Sequence, residues 1–322
     1  MPKYLLRRVL TAIPTLLVIS LVIFTLLSLA PGNPYSELAT NPNFPPEAQE
    51  NLRRILGLDD PIPIRYSKWL WALLQGNLGL SFTSGSPVSD LIAQRLPTTL
   101  WILGAGYLLA LMLALPLGVF SALHRYSWGD RIVTTVAFMG FSLPTFFTGL
   151  LFILIFSVQL RWFPFIYSST LVVQDWRSFL DLIRQSVMPV GVLALFQMAV
   201  LMRFMRAAVL EELPQDYVRT GRAKGLSGRR VVGVHMLRNA AIPVITLVAL
   251  DIPSLFTGSL VLEQVFRIPG IGALLIDSIN RSDTPVIMAI SWVYAVLVVV
   301  FNLVADGLYA WVDPRVRLGV QQ

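Results

Sequence analysis

Six apolar blocks, each about as long as a bilayer is thick, decide what this chain can fold into. They run from Val9 to Ala30, Thr98 to Leu123, Ile132 to Val158, Val187 to Met202 and on to Leu210, Ala240 to Leu262, and Val286 to Leu308. A helix needs about 20 apolar residues to cross the hydrocarbon core, and within that core each backbone N–H must be satisfied inside the protein. With 55% hydrophobic residues and 13% charged ones, the chain is predicted to be an all-α polytopic membrane protein with six transmembrane helices. The first block exceeds the roughly 7 to 15 apolar residues of a signal peptide and is taken as an uncleaved span behind Lys3, Arg7 and Arg8. Pro116, Pro144, Pro189, Pro243 and Pro253 fall in or beside the spans, where they imply kinks.

Charge sets the expected orientation. With the amino terminus inside, the inner segments carry fifteen basic residues and the short outer loops five. Both termini are therefore expected in the cytoplasm and residues 31–97 outside. The expected organisation is an amino-terminal span (1–30), a small extracytoplasmic helical region (31–97), a core of helices two to six (98–310) and a cytoplasmic tail (311–322). Within the outer region, Pro45-Pro46-Glu47 opens a helix with Leu52, Ile55 and Leu56. A second begins near Arg65 with Tyr66, Trp69, Leu70 and Leu73, where Trp69 and Trp71 suit a membrane surface.

The most polar stretch, Glu211 to Asn239, holds six of the 25 basic residues: Arg219, Arg222, Lys224, Arg229, Arg230 and Arg238. Its grammar is helix, break, helix. Pro214 suits a first helical turn, Gly225 suits a helix end, and the Ser227 hydroxyl is expected to cap a second helix reaching from Gly228 to Asn239. One reading is a basic loop placed by the inside rule. The other is a folded docking surface, because apolar residues at helical spacing are unnecessary for charge alone.

Several chemistries are missing. No cysteine occurs, and neither His124 nor His235 lies in a ligand spacing, so no metal site is expected. None of Lys3, Lys68 and Lys224 sits in a phosphate-cradling Gly-Lys-Ser/Thr, and no Gly-x-Ser-x-Gly or His-Glu-x-x-His occurs. No catalytic site and no bound cofactor are expected, and basic loops beside lipid account for the net charge of +7 without nucleic acid. Asp251, near the middle of the fifth span, costs on the order of 2.5 to 3.5 kcal/mol as a bare carboxylate and needs a partner or a wet cavity. It belongs either to a substrate path or to a structural pair. Arg203 and Arg206 are expected to snorkel from the end of the fourth span.

A resemblance now gathers these features. Tyr4-Leu5-Leu6-Arg7-Arg8, Leu29-Ala30-Pro31-Gly32-Asn33-Pro34, Leu56-Gly57-Leu58-Asp59, Gly76-Asn77-Leu78-Gly79 and Arg95-Leu96-Pro97-Thr98-Thr99-Leu100 resemble the first permease subunit of ABC importers for oligopeptides, dipeptides, glutathione and nickel. The run Asp216 to Gly225, Glu263-Gln264-Val265-Phe266, Pro269-Gly270-Ile271-Gly272 and Asp313-Pro314-Arg315-Val316-Arg317 extend the likeness over nearly the whole chain. The resemblance implies a bacterial or archaeal inner-membrane permease paired with a similar second permease, two cytoplasmic ATPases and an external binding protein. ATP and magnesium would sit on the ATPases. It also makes the cytoplasmic bracket the coupling element, carried by Asp216, Tyr217, Arg219, Thr220, Arg222, Ala223, Lys224 and Gly225. The chain departs from the general coupling motif, with Arg219-Thr220-Gly221 where that motif has Glu-Ala-Ala and Leu237-Arg238 where it has Leu-Pro.

Peptides are the expected cargo, with glutathione or nickel on the same architecture as alternatives. A self-sufficient secondary carrier would show charged or broken segments in corresponding positions of two inverted halves, and Asp251 has no such counterpart. An intramembrane enzyme would need a nucleophile and base.

Overall fold

The computed structural model describes residues 2–29, 60–168 and 171–312. The helix expected after Pro45 and the segment 313–322 lie outside these residues. Besides a single turn at Gly228–Arg230, ten α-helices are described: α1 (Pro2–Leu29), α2 (Ile62–Leu74), α3 (Val88–Leu123), α4 (Trp128–Ser142), α5 (Thr145–Phe152), α6 (Trp176–Glu212), α7 (Asp216–Ala223), α8 (Leu237–Val265), α9 (Ile271–Asn280) and α10 (Thr284–Val312). Among the described residues there is no strand beyond an isolated bridge between Leu80 and Pro87. Among the described residues, five helices are long and apolar enough to cross a membrane, or six spans if the bent pair α4–α5 is counted as one.

The helices extend past the apolar blocks for local reasons. α3 starts at Val88 rather than at Thr98 and runs through Pro97. α6 starts at Trp176 because Asp175 and Ser178 cap it reciprocally: Ser178 N–H donates to Asp175 Oδ1 at 2.8 Å, and Asp175 N–H donates to Ser178 Oγ at 3.0 Å. The block Ile132 to Val158, expected as one span with a kink at Pro144, is broken there. It bends by 107° between Ser142 and Thr145. Leu143 precedes Pro144 and takes the extended conformation (φ −93°, ψ 134°) that the proline ring imposes, so α4 stops and α5 starts afresh. α5 then continues through a wider π-helical stretch, Ile153–Gln159.

The chain forms two compact units, residues 2–97 with 270–300, and residues 98–269 with the chain from 301. In the first, Val88, Ile92, Ile271, Val286, Ala289 and Ile290 make a buried apolar core. α2 packs on α1 through aromatic contacts, Tyr66 lying edge-on to Phe24 at 5.5 Å and Ser20 Oγ lying 2.9 Å from the Tyr66 hydroxyl. Trp69, assigned from sequence to a membrane surface, meets Trp292 edge-on at 6.4 Å, while Trp71 is exposed. Leu10, Ile13, Val18, Leu21 and Leu26 of α1 are exposed, as a span facing lipid requires. α9 falls in a segment expected to be only a short outer loop.

In the second unit, α6 is the central helix, buried along much of its length and packed on α4, α5 and α8. α3 approaches it closely because Gly118 has no side chain: a Cβ there would stand 2.8 Å from Met205 Cβ and 2.9 Å from the Met202 carbonyl oxygen. A larger residue would force the two helices apart.

Candidate functional site

The stretch after α6 folds as a bracket. Pro214 stands in the break between α6 and α7 rather than in the first turn of a helix, and Gln215 takes the extended N-cap position. α7 ends as its sequence dictates. Gly225 adopts φ +79°, its N–H donates to the Arg222 carbonyl at 3.0 Å, and the Leu226 N–H reaches back to the Gly221 carbonyl at 3.2 Å. These two bonds close the helix terminus, and the left-handed residue between them favours glycine.

The second arm differs from expectation in two respects. Ser227 occupies the N-cap position, but its hydroxyl makes no cap; its carbonyl accepts from Arg230 and Val231 N–H at 2.9 and 3.0 Å instead. The arm also does not stop at Asn239. A single turn, Gly228–Arg230, passes through a π-helical stretch, Val231–Met236, directly into α8. The bracket's second arm is thus the first part of a membrane helix.

Its inner face is apolar. Val218 and Val231 are 1% exposed and Met236 is fully buried, in one cluster with Ala122 of α3, Met205, Ala208 and Val209 of α6, and Ala240 and Val244 of α8. Each such valine contributes about 1.5 to 3 kcal/mol by burial, so α7 is held on the helices as a rigid piece. Its outer face carries Asp216, Tyr217, Arg219, Thr220, Arg222, Ala223, Lys224 and Gly225, all exposed. The Tyr217 hydroxyl donates to the Glu212 carboxylate, and burial and that carboxylate push its pKa above the ordinary phenol value. The two residues join the end of α6 to the start of α7.

Charged groups the sequence left unpaired form buried clasps. Asp130 is 5% exposed. Arg206 grips it with two prongs, Nε to Oδ1 at 3.2 Å and Nη2 to Oδ2 at 3.1 Å. Ser121 Oγ, Tyr126 N–H (2.9 Å) and Thr134 Oγ1 (3.2 Å) also donate to this carboxylate. The cluster ties α3, α4 and α6 together beside the bracket. Arg206 therefore does not snorkel; its guanidinium is engaged, and Arg203 instead lies over the Phe141 ring at 5.4 Å. At the opposite end of α3 and α8, Thr99 Oγ1 donates to Glu263 Oε1 at 2.7 Å, with both side chains 1% exposed. In the other unit, Asp283 (3% exposed) accepts from Ser81 Oγ at 2.5 Å, Phe82 N–H at 3.0 Å and Thr83 N–H at 3.3 Å, fixing the turn between α2 and α3.

Asp251 is half-buried on α8, and the structure brings Tyr107 of α3 to it. The Tyr107 hydroxyl donates to the Val248 carbonyl at 3.4 Å, one turn before Asp251 on α8.

Several helices long and apolar enough to cross a membrane, with a folded and exposed bracket packed on three of them, define a polytopic membrane protein. Comparison with known proteins supplies the family. A model for the "Binding-protein-dependent transport system inner membrane component" matches residues 114–318, and its companion for the amino-terminal part matches residues 1–103. The chain belongs to this family of importer permeases. It is 44% identical to the oligopeptide transport system permease protein AppB of Bacillus subtilis (strain 168), over 98% of this chain and all of that one. It is 38% identical to the glutathione transport system permease protein GsiC of Escherichia coli O6:H1, over 98% of this chain and 99% of the relative. The protein is accordingly a transmembrane permease subunit of an ABC importer.

Proposed function

We propose that this permease imports short peptides across a bacterial or archaeal inner membrane, lining the path with a second, similar permease. An extracytoplasmic binding protein delivers the cargo, and two ATPase subunits, which hold ATP and magnesium, drive it. The amino terminus and the 211–239 bracket face the cytoplasm. The observation that carries this reading is the bracket itself: eight exposed residues on α7 and its turn, backed by a buried apolar cluster that reaches three membrane helices. A surface so mounted passes a push from an ATPase into the spans, whereas a solvated loop would absorb it. Cargo preference rests on the relatives, one named for oligopeptides and one for glutathione, itself a peptide.

The test is uptake of radiolabelled tripeptide by proteoliposomes holding the whole transporter with its binding protein outside and ATP within. ATP-dependent tripeptide uptake is expected, and none by this chain alone. Uptake by the chain alone would make it a secondary carrier. ATP-driven uptake of nickel without peptide would overturn the cargo.

A further inference from the structure

A cavity of about 440 Å3 lies where the π-helical end of α5 turns back toward α6, on the side proposed to face outward. Its walls carry Arg161, Asp181, Arg184 and Gln185, with Phe163 and Leu171 between them. Five features distinguish it from an ordinary surface hollow.

Arg161 holds a left-handed backbone (φ +55°), which costs a non-glycine residue energy and recurs where a side chain is aimed for a purpose. The preceding stretch is π-helical, a wider winding frequent at functional sites. Arg184 is fixed by Nε and Nη2 donating to the Trp162 carbonyl at 3.3 and 3.2 Å, which leaves its Nη1 donors for another group. Among the described residues, no ion pair joins Asp181 to either arginine.

The fifth feature points most directly to a ligand. Gln185 is 7% exposed, and its Oε1 accepts from Ser168 N–H at 2.9 Å. Its Nε2 is buried and makes no hydrogen bond among the described residues. A buried amide donor left open costs about 1 to 3 kcal/mol, which an arriving carbonyl oxygen would relieve.

We propose that this cavity binds a short zwitterionic peptide. Arg161 and Arg184 take its carboxylate, Asp181 takes its ammonium group, and Gln185 Nε2 donates to a backbone carbonyl. Phe163 and Leu171 contact a side chain. The inference rests on the peptide-import reading and adds to it a site on the permease itself, where cargo released by the binding protein is held before it passes inward.

The experiment uses the full chain in phosphatidylcholine nanodiscs, with trialanine as probe and saturation-transfer NMR as readout. Binding of trialanine is expected, and N-acetyl-trialanine amide, which lacks both charges, should bind at least about tenfold more weakly, as loss of one hydrogen bond to a charged group already implies. Arg161→Gln and Asp181→Asn should each weaken trialanine about tenfold on the same grounds, while the circular dichroism of these exposed-residue variants stays that of the parent. Equal binding of the charged and capped peptides would overturn the proposal. So would trialanine binding abolished by phosphatidylethanolamine at membrane concentration, which would assign the cavity to a lipid headgroup. Uptake by the assembled transporter separates the two levels: tripeptide uptake unchanged in both variants, with no trialanine binding to the parent, sinks the site and leaves the import reading intact. Absence of peptide uptake by the parent transporter sinks the reading itself.

Discussion

Replacing Arg206 by methionine should loosen the helix bundle beside the bracket by about 3 kcal/mol. Removing one partner of a fully buried ion pair costs about 3 to 5 kcal/mol, because the other charge is left in a poor solvent. Asp130 meets that description, with its side chain 7% exposed. The Arg206 side chain is 26% exposed, and Ser121, Tyr126 and Thr134 still donate to the carboxylate after the change, so the low end of the range applies. Methionine keeps the aliphatic packing of the arginine stem and removes only the guanidinium fork. The assay is equilibrium unfolding in mixed micelles titrated with SDS, read by tryptophan fluorescence. Adding Asp130→Asn to Arg206→Met removes the stranded charge and should restore more than half of the loss, giving a coupling energy of about 2 kcal/mol in the double-mutant cycle. A loss below about 1 kcal/mol for Arg206→Met, the range of a solvated surface pair, would refute the clasp.

Three further outcomes follow from particular contacts. Asp251→Asn keeps the shape of the side chain and removes only the charge, so the transporter should assemble while peptide uptake falls about tenfold, the effect of one charge-assisted contact; normal uptake would take the residue out of the path. Asp175 has its carboxyl held below the usual carboxylate value, chiefly by the Ser178 N–H and hydroxyl. Its cap therefore contributes above the unfolded pKa and is lost as pH falls through the lowered folded value, so Asp175→Ala should reduce amide protection in the first turn of α6 at pH 7, by an amount that shrinks as pH falls through that value. A single cysteine at Ser227, in a chain with none of its own, should resist an impermeant thiol reagent added from outside; labelling there would invert the topology.

What could be read in advance divides along a physical line. The spans were legible because hydropathy is local, and the end of α7 was legible because Gly225 and its backbone bonds lie within a few residues of each other. Pro144 was visible as a kink, but whether a proline bends a helix or ends it depends on what packs against the freed backbone; here α4 and α5 part. α9 escaped notice because ten residues are too few for a span and its apolar face is buried by contacts made elsewhere in the chain. The acidic clasps were hidden for the same reason. Arg206, the charged partner of Asp130, stands 76 residues away, and Thr99 and Ser81, which donate to Glu263 and Asp283, stand 164 and 202 residues away, so the chain near each acid does not show these contacts. For Asp130 a signal did exist: Ser127 three residues before it is a helix cap, which places that acid in a first turn. The cavity beside Gln185 had no counterpart in the sequence, since its arginines looked like ordinary loop charges.

The central claim is that the bracket passes ATP-driven motion into the membrane helices, and Gly225→Trp tests it most directly. Nothing lies within 4 Å of the position a Cβ would take at Gly225, so the indole would project from the turn without a clash. The left-handed backbone adds a strain of only about 1 to 2 kcal/mol. The variant should insert and keep its unfolding midpoint near that of the parent, yet lose tripeptide uptake, either because the ATPase no longer co-purifies or because its hydrolysis continues without transport. Full uptake with the ATPase still bound would mean that nothing docks closely at this turn and that the bracket is a basic loop.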